Sequence, residues 1–304
     1  MRPSEMHSEF TSYLDAGDGF FSGDEIWRKL YSAQQEIVRM IAQEQPTYYV
    51  QTATIDFVAD QALYDLPLNA RLGSRILFTE DVDNITEVPA SSYLKEHLDY
   101  NSPGAVNLTD NYHFILQGQQ VRVMPTPGAA KSEARRLYYI PNFGQMIEGR
   151  ISATTSTTVN FFTTDPDYTV NYGTPDVRND YYNGMEILLT KNAGVGDVRT
   201  VNDYTGGTTL QATAHSAWST TLSTDPGSVT EFAVMCPVPE DFHQMVPLRA
   251  AMDGAIKNRN RLREIQSVYY GSPGRSGLER LLLSWLLKRQ ETDLQMVIPT
   301  NLEL

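Results

Sequence analysis

Apolar residues recur at helical spacing near both ends of the chain and alternate, or cluster in short runs, between them. Ile26, Leu30, Ala33, Ile37 and Ile41 fall on one stripe, with Trp27 and Val38 beside it. That spacing predicts an amphipathic helix of about five turns. Ser22 and Glu25 stand where a capping box puts its hydroxyl and its carboxylate, and Pro46 closes the segment. Beyond it, residues 48–58 alternate and are β-branched, which predicts a strand. Residues 60–67 read as its hairpin return, and 74–82 as another strand. Ser91 or Ser92 can cap a short helix through Leu98. Residues 112–127 read as strand, tight turn at Gln117-Gly118, strand. A last strand of this stretch covers 134–141.

The texture then changes. Residues 146–235 hold 18 threonines, and this compositional break sets a boundary. Turn signals recur at Asp165-Pro166, Asn183-Gly184, Asn192-Ala193-Gly194, Gly206-Gly207 and Asp225-Pro226-Gly227, with short alternating runs between them. Strands this short, with turns this frequent, imply a small β-sandwich or barrel. Helical spacing returns after Pro239: Met245, Leu248, Met252, Ala255, Ile256, Leu262, Ile265 and Tyr269 form one run, which stops at Gly271. Residues 271–277 make a tight connector. Ser276 and Glu279 form a second capping box, followed by Leu278, Leu281, Leu282, Trp285 and Leu286 at i, i+3, i+4, i+7 and i+8. The last dozen residues, 293–304, lack a helical signal and predict an extended arm.

The expected fold class is therefore α+β. A helical bundle from the N- and C-terminal helices packs with a small mixed β region, and an all-β sandwich or barrel is inserted in it. Residues 1–145 and 236–304 make a discontinuous core and 146–235 the insertion, because helical material brackets the Thr-rich segment. Ile26, Leu30, Ile37, Ile41, Met252, Ile256, Leu281, Leu282 and Trp285 are the expected helical core or self-association surface.

Composition narrows the function. Of 304 residues 41% are apolar, enough for a core, so whole-chain disorder is excluded. The net charge of −13 repels phosphate and argues against wrapping nucleic acid. A single cysteine, Cys236, leaves no internal disulfide and no cysteine zinc cluster, which fits a reducing compartment. The N-terminus lacks the apolar core of a signal peptide. The densest apolar run, 281–287, falls far short of the roughly 20 residues of a membrane span.

Chemistry-bearing motifs are scarce. His7, His97, His113, His215 and His243 show no i, i+4 pair for a helical zinc site. Neither a nucleophile elbow nor a Walker loop is present. Gly194-Val195-Gly196 starts like a dinucleotide fingerprint but has Arg199 where the third glycine belongs, and it reads as a hairpin. Asp81-Val82-Asp83-Asn84 starts like a calcium loop, yet Ile85 and Thr86 occupy the next ligand and glycine positions. No catalytic residue, cofactor or metal is expected. One basic run stands out: Lys257, Arg259, Arg261 and Arg263. Steps of two on a helix turn by about 200°, so Lys257 shares a face with Arg261, and Arg259 with Arg263. Residues 240–290 carry net +4, leaving −17 on the rest. This segregation suits a contact with an acidic neighbouring subunit.

The order of these segments carries a resemblance. A helix reading IWRKLYSAQQEIVRMIA precedes YYVQTATIDFVADQALYDLP and SRILFTEDV. VRVMPTP and RRLYYIP follow, and VPEDFHQMVPLRAAMDGAIKNR completes the layout. This arrangement, over roughly 22–145 and 236–290, resembles the head-to-tail adaptor proteins of tailed bacteriophages, and the tail tubular adaptor of short-tailed phages. The stretch 180–220, with Asn183-Gly184-Met185, Arg199 and Trp218, is similar to a β-module that recurs in phage structural proteins; residues 159–178 depart from it. The resemblance implies a homo-oligomeric ring, usually of twelve subunits, at the head–tail junction of the virion and assembled in the host cytoplasm. Its implied partners are the portal protein, a tail nozzle or tube protein, and tail fibres through the β-module. DNA passes through the channel without sequence-specific binding, and no membrane is involved. Lys257, Arg259, Arg261, Arg263 and the apolar arm residues Met296, Val297, Ile298 and Leu302 are the expected portal or ring contacts. Two alternatives remain open: a tail-completion or fibre-anchoring protein sharing the β-module, and a glycan-binding module or enzyme built on the Thr/Tyr-rich insert.

Overall fold

The structure, a computed structural model, describes residues 1–14, 21–70, 77–79, 86–87, 113–124, 126–162, 173–255 and 259–296. It is mixed α+β, with five α-helices and a closed six-stranded barrel among the described residues. The chain forms two compact units, one of residues 1–48 and 143–304, the other of 49–142.

Helix α1 (Pro3–Leu14) buries Met6, Phe10 and Leu14, one residue per turn on a single face. Helix α2 (Gly23–Glu44) begins at Ser22, whose hydroxyl accepts from the Glu25 N–H at 3.2 Å, as the capping box predicts. Its expected stripe is inside: Ile26, Leu30, Ile37 and Ile41 are all buried. Full burial of each such side chain contributes about 1.5–3 kcal/mol. The Gln45 N–H caps the last turn on the Ile41 carbonyl, and a 3-10 turn, Pro46–Tyr49, follows.

The unit 49–142 holds two sheets. Strands β1 (Gln51–Phe57), β3 (Leu77–Thr79) and β7 (Lys131–Tyr139) form the first, in the order β1-β7-β3. Strands β2 (Leu63–Asp65), β4 (Thr86–Glu87), β5 (His113–Gln117) and β6 (Gln120–Met124) form the second, in the order β2-β6-β5-β4. The expected turn at Gln117-Gly118 joins β5 to β6. The expected hairpin of β1 with residues 60–67 does not form: β1 pairs with β7, and β2 with β6. The reason is local. The Tyr64 hydroxyl donates to the Gln61 carbonyl at 2.8 Å, and Asp60 adopts φ 62°, so the chain turns out of the first sheet into the second. Ile55, Phe57, Tyr64, Leu66, Val121, Val123, Leu137 and Tyr139 make a common core. The short helix expected from Ser91 or Ser92 to Leu98 lies outside the described residues.

In the other unit the Thr-rich segment is a barrel. Its strands are β8 (Glu148–Thr154), β9 (Thr158–Phe161), β10 (Glu186–Lys191), β11 (Val198–Thr205), β12 (Gln211–Ala214) and β13 (Glu231–Val234). All neighbours are antiparallel, in the order β10-β11-β12-β9-β8-β13, and β13 closes on β10. Closure removes the free strand edges on which other chains could pair. Aromatic rings fill the interior: Phe161 stacks on Phe232 at 4.3 Å, and Tyr182 meets Tyr204 edge-on at 4.7 Å. Tyr182 is fully buried and so belongs to this core, while Tyr168 and Tyr172 lie outside the described residues.

Helices α3 (Met245–Ala255), α4 (Arg259–Tyr269) and α5 (Leu278–Met296) follow. The run expected from Pro239 opens with a 3-10 turn, Glu240–Phe242, and is helical in α3 and α4; residues 256–258 between them lie outside the described residues. Helix α3 packs against α1 and α2. At Gly254 an added Cβ would stand 2.7 Å from the Leu14 Cδ1, so the glycine sets that close approach. The connector 271–277 is a miniature hairpin of β14 (Gly271–Ser272) and β15 (Arg275–Ser276).

The barrel is grouped with the helices, and named contacts tie them. Gln34 and Gln35 of α2 donate to the Gly144 and Phe143 carbonyls at 2.8 and 2.6 Å. Buried Glu148 of β8 accepts from the Ser4 N–H at 3.0 Å.

Candidate interaction surfaces

Lys257 lies outside the described residues, and Arg259 opens α4. Arg261 sets its Nη1 3.5 Å from the Ser12 and Tyr13 carbonyls, at the negative end of the α1 dipole. Arg263 is exposed. Arg261 is thus held at least partly by its own helices.

Of the expected core positions, Ile26, Leu30, Ile37, Ile41, Met252 and Leu282 are buried, and Ile256 lies outside the described residues. Trp285 is half-buried between Tyr48 and Phe242, with the Arg289 guanidinium 5.0 Å from the Tyr48 ring. Leu281 is 49% exposed and lies outside the core, which leaves the self-association half of its expectation open. One face of α5 already buries Leu282 and Leu286, and Leu281 lies outside that arc. The arm needs correction at its start. Helix α5 continues to Met296, four residues into the segment expected to be extended. Val297, Ile298 and Leu302 lie outside the described residues.

Two surfaces remain chemically distinctive. The outer face of α5 carries Leu281 and Leu287, 49% and 54% exposed, beside exposed Arg280 and Lys288. Exposed Val268, Tyr270 and Arg275 adjoin its N-terminus through the miniature hairpin. The second surface lies on the barrel. Residues 177–180 run along the end of β11: the Asp180 N–H donates to the Tyr204 carbonyl and the Gly207 N–H to the Val177 carbonyl. Only glycine fits at 206, where a Cβ would stand 2.2 Å from the Val177 oxygen. Val177, 62% exposed, is thereby held against the Gly206-Gly207 turn that follows β11. Burial, with the charge of Asp203 added, holds the Asp180 carboxyl above its ordinary range despite the Asn183 hydrogen bond. The neighbouring cation, Arg178, is engaged by Asp176 at 2.8 Å and lies over the Tyr181 ring at 4.4 Å.

Sequence reasoning missed several charged groups. Arg249 of α3 bridges Glu36 of α2 at 2.8 Å and Asp253 at 2.7 Å. The i, i+4 pair was visible in the sequence, whereas the Glu36 contact depends on tertiary packing. His243 is buried, with its Nε2 2.7 Å from the Val238 carbonyl. An Nε2–H donating there leaves the Nδ1 to accept from the Met1 ammonium at 2.8 Å. Burial, and then that ammonium, lowers the affinity of His243 for a proton. A histidine whose folded pKa lies below its unfolded value stabilises the fold above the unfolded pKa. The urea midpoint is therefore expected to drop as pH falls through about 6.5, with a smaller drop in His243→Gln. Equal drops in the two proteins would place the effect elsewhere.

Burial pushes the Cys236 thiol up to about 12, so it carries almost no thiolate near neutrality. Among the described residues, no group of three His, Cys, Asp or Glu side chains is placed to hold a metal ion. None of the described helices is long and apolar enough to cross a membrane. The chain matches no family model and no curated protein.

Proposed function

We propose that this chain is a structural adaptor of a tailed bacteriophage. It assembles as a ring between the portal at the capsid vertex and the tail, around the DNA channel. The observation that carries the reading is the pairing of the first and last barrel strands, with Phe232 opposite Gly149. The chain enters and leaves the barrel side by side, as a module inserted into a helical host requires. Helices α1 and α2 before the barrel, and α3 after it, then pack together as the host. The resemblance to head-to-tail adaptors rests on residues 22–145 and 236–290, of which α2 and α3 belong to this host.

The chemistry suits the role. Net −13 allows a channel that does not grip DNA, since tight binding needs phosphates neutralised by cations. The segment after Asp293, with Val297, Ile298 and Leu302, docks on the portal. Truncation after Met296 is expected to abolish co-sedimentation with purified portal while leaving the circular dichroism spectrum and melting temperature unchanged. Undiminished portal binding by the truncated chain would remove the arm from the interface. The function itself is tested by cryo-electron microscopy of purified particles. A ring of this chain below the portal is expected; density on fibres or at the tail tip alone would overturn the reading.

A further inference from the structure

Asn183-Gly184 is the only Asn-Gly pair in the chain, and it lies in the turn that leads into β10. Gly184 adopts φ 79°, a conformation that glycine takes without strain. The same missing Cβ lets a side chain approach its backbone nitrogen. In an open chain that nitrogen can attack the Asn183 carboxamide. The Gly184 N–H gives up its proton, and its nitrogen bonds to the Asn183 Cγ. The Cγ–Nδ2 bond breaks, and ammonia leaves carrying the proton. The resulting succinimide then takes up one water. Opening at one carbonyl leaves an aspartate, and opening at the other leaves an isoaspartate, whose main chain runs through the side-chain carbon.

The folded turn holds both reacting groups off this path. The Gly184 N–H donates to the Val201 carbonyl at 2.8 Å, and the Val201 N–H donates to the Met185 carbonyl at 2.8 Å. The Asn183 Nδ2 donates to the Asp180 Oδ1 at 2.9 Å, which turns the carboxamide toward Asp180. On either side of the pair, Tyr182 and Met185 are buried. Tyr182 meets Phe161 and Tyr204 edge-on, so the turn cannot lift without disturbing the ring cluster inside the barrel.

We propose that Asn183-Gly184 is a self-modification site held shut by the barrel: it cyclises with loss of ammonia when the barrel opens, and its carboxylate product does not rebuild the turn. The product fails because Asp180 loses a donor and gains a like charge. The Asn183 hydrogen bond acts at Asp180 against burial and the charge of Asp203, and the reaction removes it. An isoaspartate also lengthens the main chain just before β10, which pairs with both β11 and β13. None of this depends on the adaptor reading.

The full wild-type chain is incubated in mildly alkaline buffer, native and in urea, and the peptide containing Asn183 is followed by mass spectrometry. Exchange of amide for carboxyl raises the peptide mass, and fragmentation separates Asn183 from Asn179. In urea Asn183 is expected to convert at least about tenfold faster than in the native chain, a factor equivalent to about 1.4 kcal/mol of opening free energy. Phe232→Ala, which loosens the ring cluster, converts faster than wild type in native buffer and at the wild-type rate in urea. Equal native and urea rates for wild type overturn the proposal. An unchanged native rate in Phe232→Ala overturns the link to the barrel. Asn183→Asp, made directly, lowers the urea midpoint further than Asn183→Ser, which removes the amide without adding a charge. A wild-type midpoint in Asn183→Asp overturns the one-way character of the reaction, and equal losses in the two variants overturn its electrostatic cause.

Discussion

Phe232→Ala is expected to destabilise the protein by about 3–5 kcal/mol, the range for truncating a large aromatic in a packed core. That is a large share of the roughly 5–15 kcal/mol that holds an ordinary domain folded. The ring is 2% exposed and stacks on Phe161, which in turn stacks on Tyr204 and meets Tyr182 edge-on. Removing it leaves a void lined by rings that cannot collapse without breaking strand register. Its strand is also the barrel's closing strand: β13 pairs with β10 through Phe232 and Leu189, and with β8 through Phe232 and Gly149. A loosened β13 reopens both neighbouring edges. Urea denaturation followed by circular dichroism measures the loss. Buried Trp218 reports on the barrel by its fluorescence. Phe232→Leu, which keeps most of the volume, is expected to cost about 1.5 kcal/mol or less. Equal midpoints for wild type and Phe232→Ala would mean that the ring cluster is not the barrel's core.

Which of these features the sequence could reveal follows from how local each one is. Helix α2 was legible because its cap and its stripe lie within one segment, and Ser22, Leu30, Ile37 and Ile41 stand where periodicity puts them. Barrel or sandwich was legible from turn spacing and alternation, which are also local. Strand partners were not, because β1 finds β7 about eighty residues later and nothing within β1 names it. Helix α1 was passed over although Met6, Phe10 and Leu14 recur every fourth residue. Three apolar positions among polar ones are a thin stripe, and only packing on α3 makes them count. Leu281 shows the opposite limit, since it stays outside the core. The i, i+3, i+4 pattern on α5 is wider than the face the helix can bury, and periodicity cannot say which edge of a wide stripe stays out. The candidate surfaces were half legible. Net +4 on 240–290 can be counted, but the charge left on the barrel surface requires knowing which of its carboxylates its own arginines and lysine have already taken.

The same distinction between local and tertiary charge governs Arg249. Its guanidinium holds Glu36 and Asp253, and the side chain is only 19% exposed. Both carboxylates, at 46% and 41%, keep water on one side, so the pair is screened relative to a fully buried one. Arg249→Ala is therefore expected to destabilise by about 1–3 kcal/mol, below the 3–5 kcal/mol of a fully buried broken pair. Arg249→Met keeps the aliphatic stem and should recover part of that loss, which separates packing from charge. A second readout isolates the charge. Burial, with the charge of Glu36 added, already raises the Glu279 carboxyl, and the partnerless Tyr269 hydroxyl is buried within the influence of both. Without the arginine, Glu36 and Glu279 repel one another with less to offset them. A carboxylate whose folded pKa lies above its unfolded value costs stability when ionised, and the cost vanishes as it is protonated. Lowering the pH from about 7 to about 4.5 should therefore narrow the stability gap between Arg249→Met and wild type. A gap that stays constant across that range would assign the loss to packing alone, and the arginine would then act as a spacer between α2 and α3 instead of as their electrostatic link.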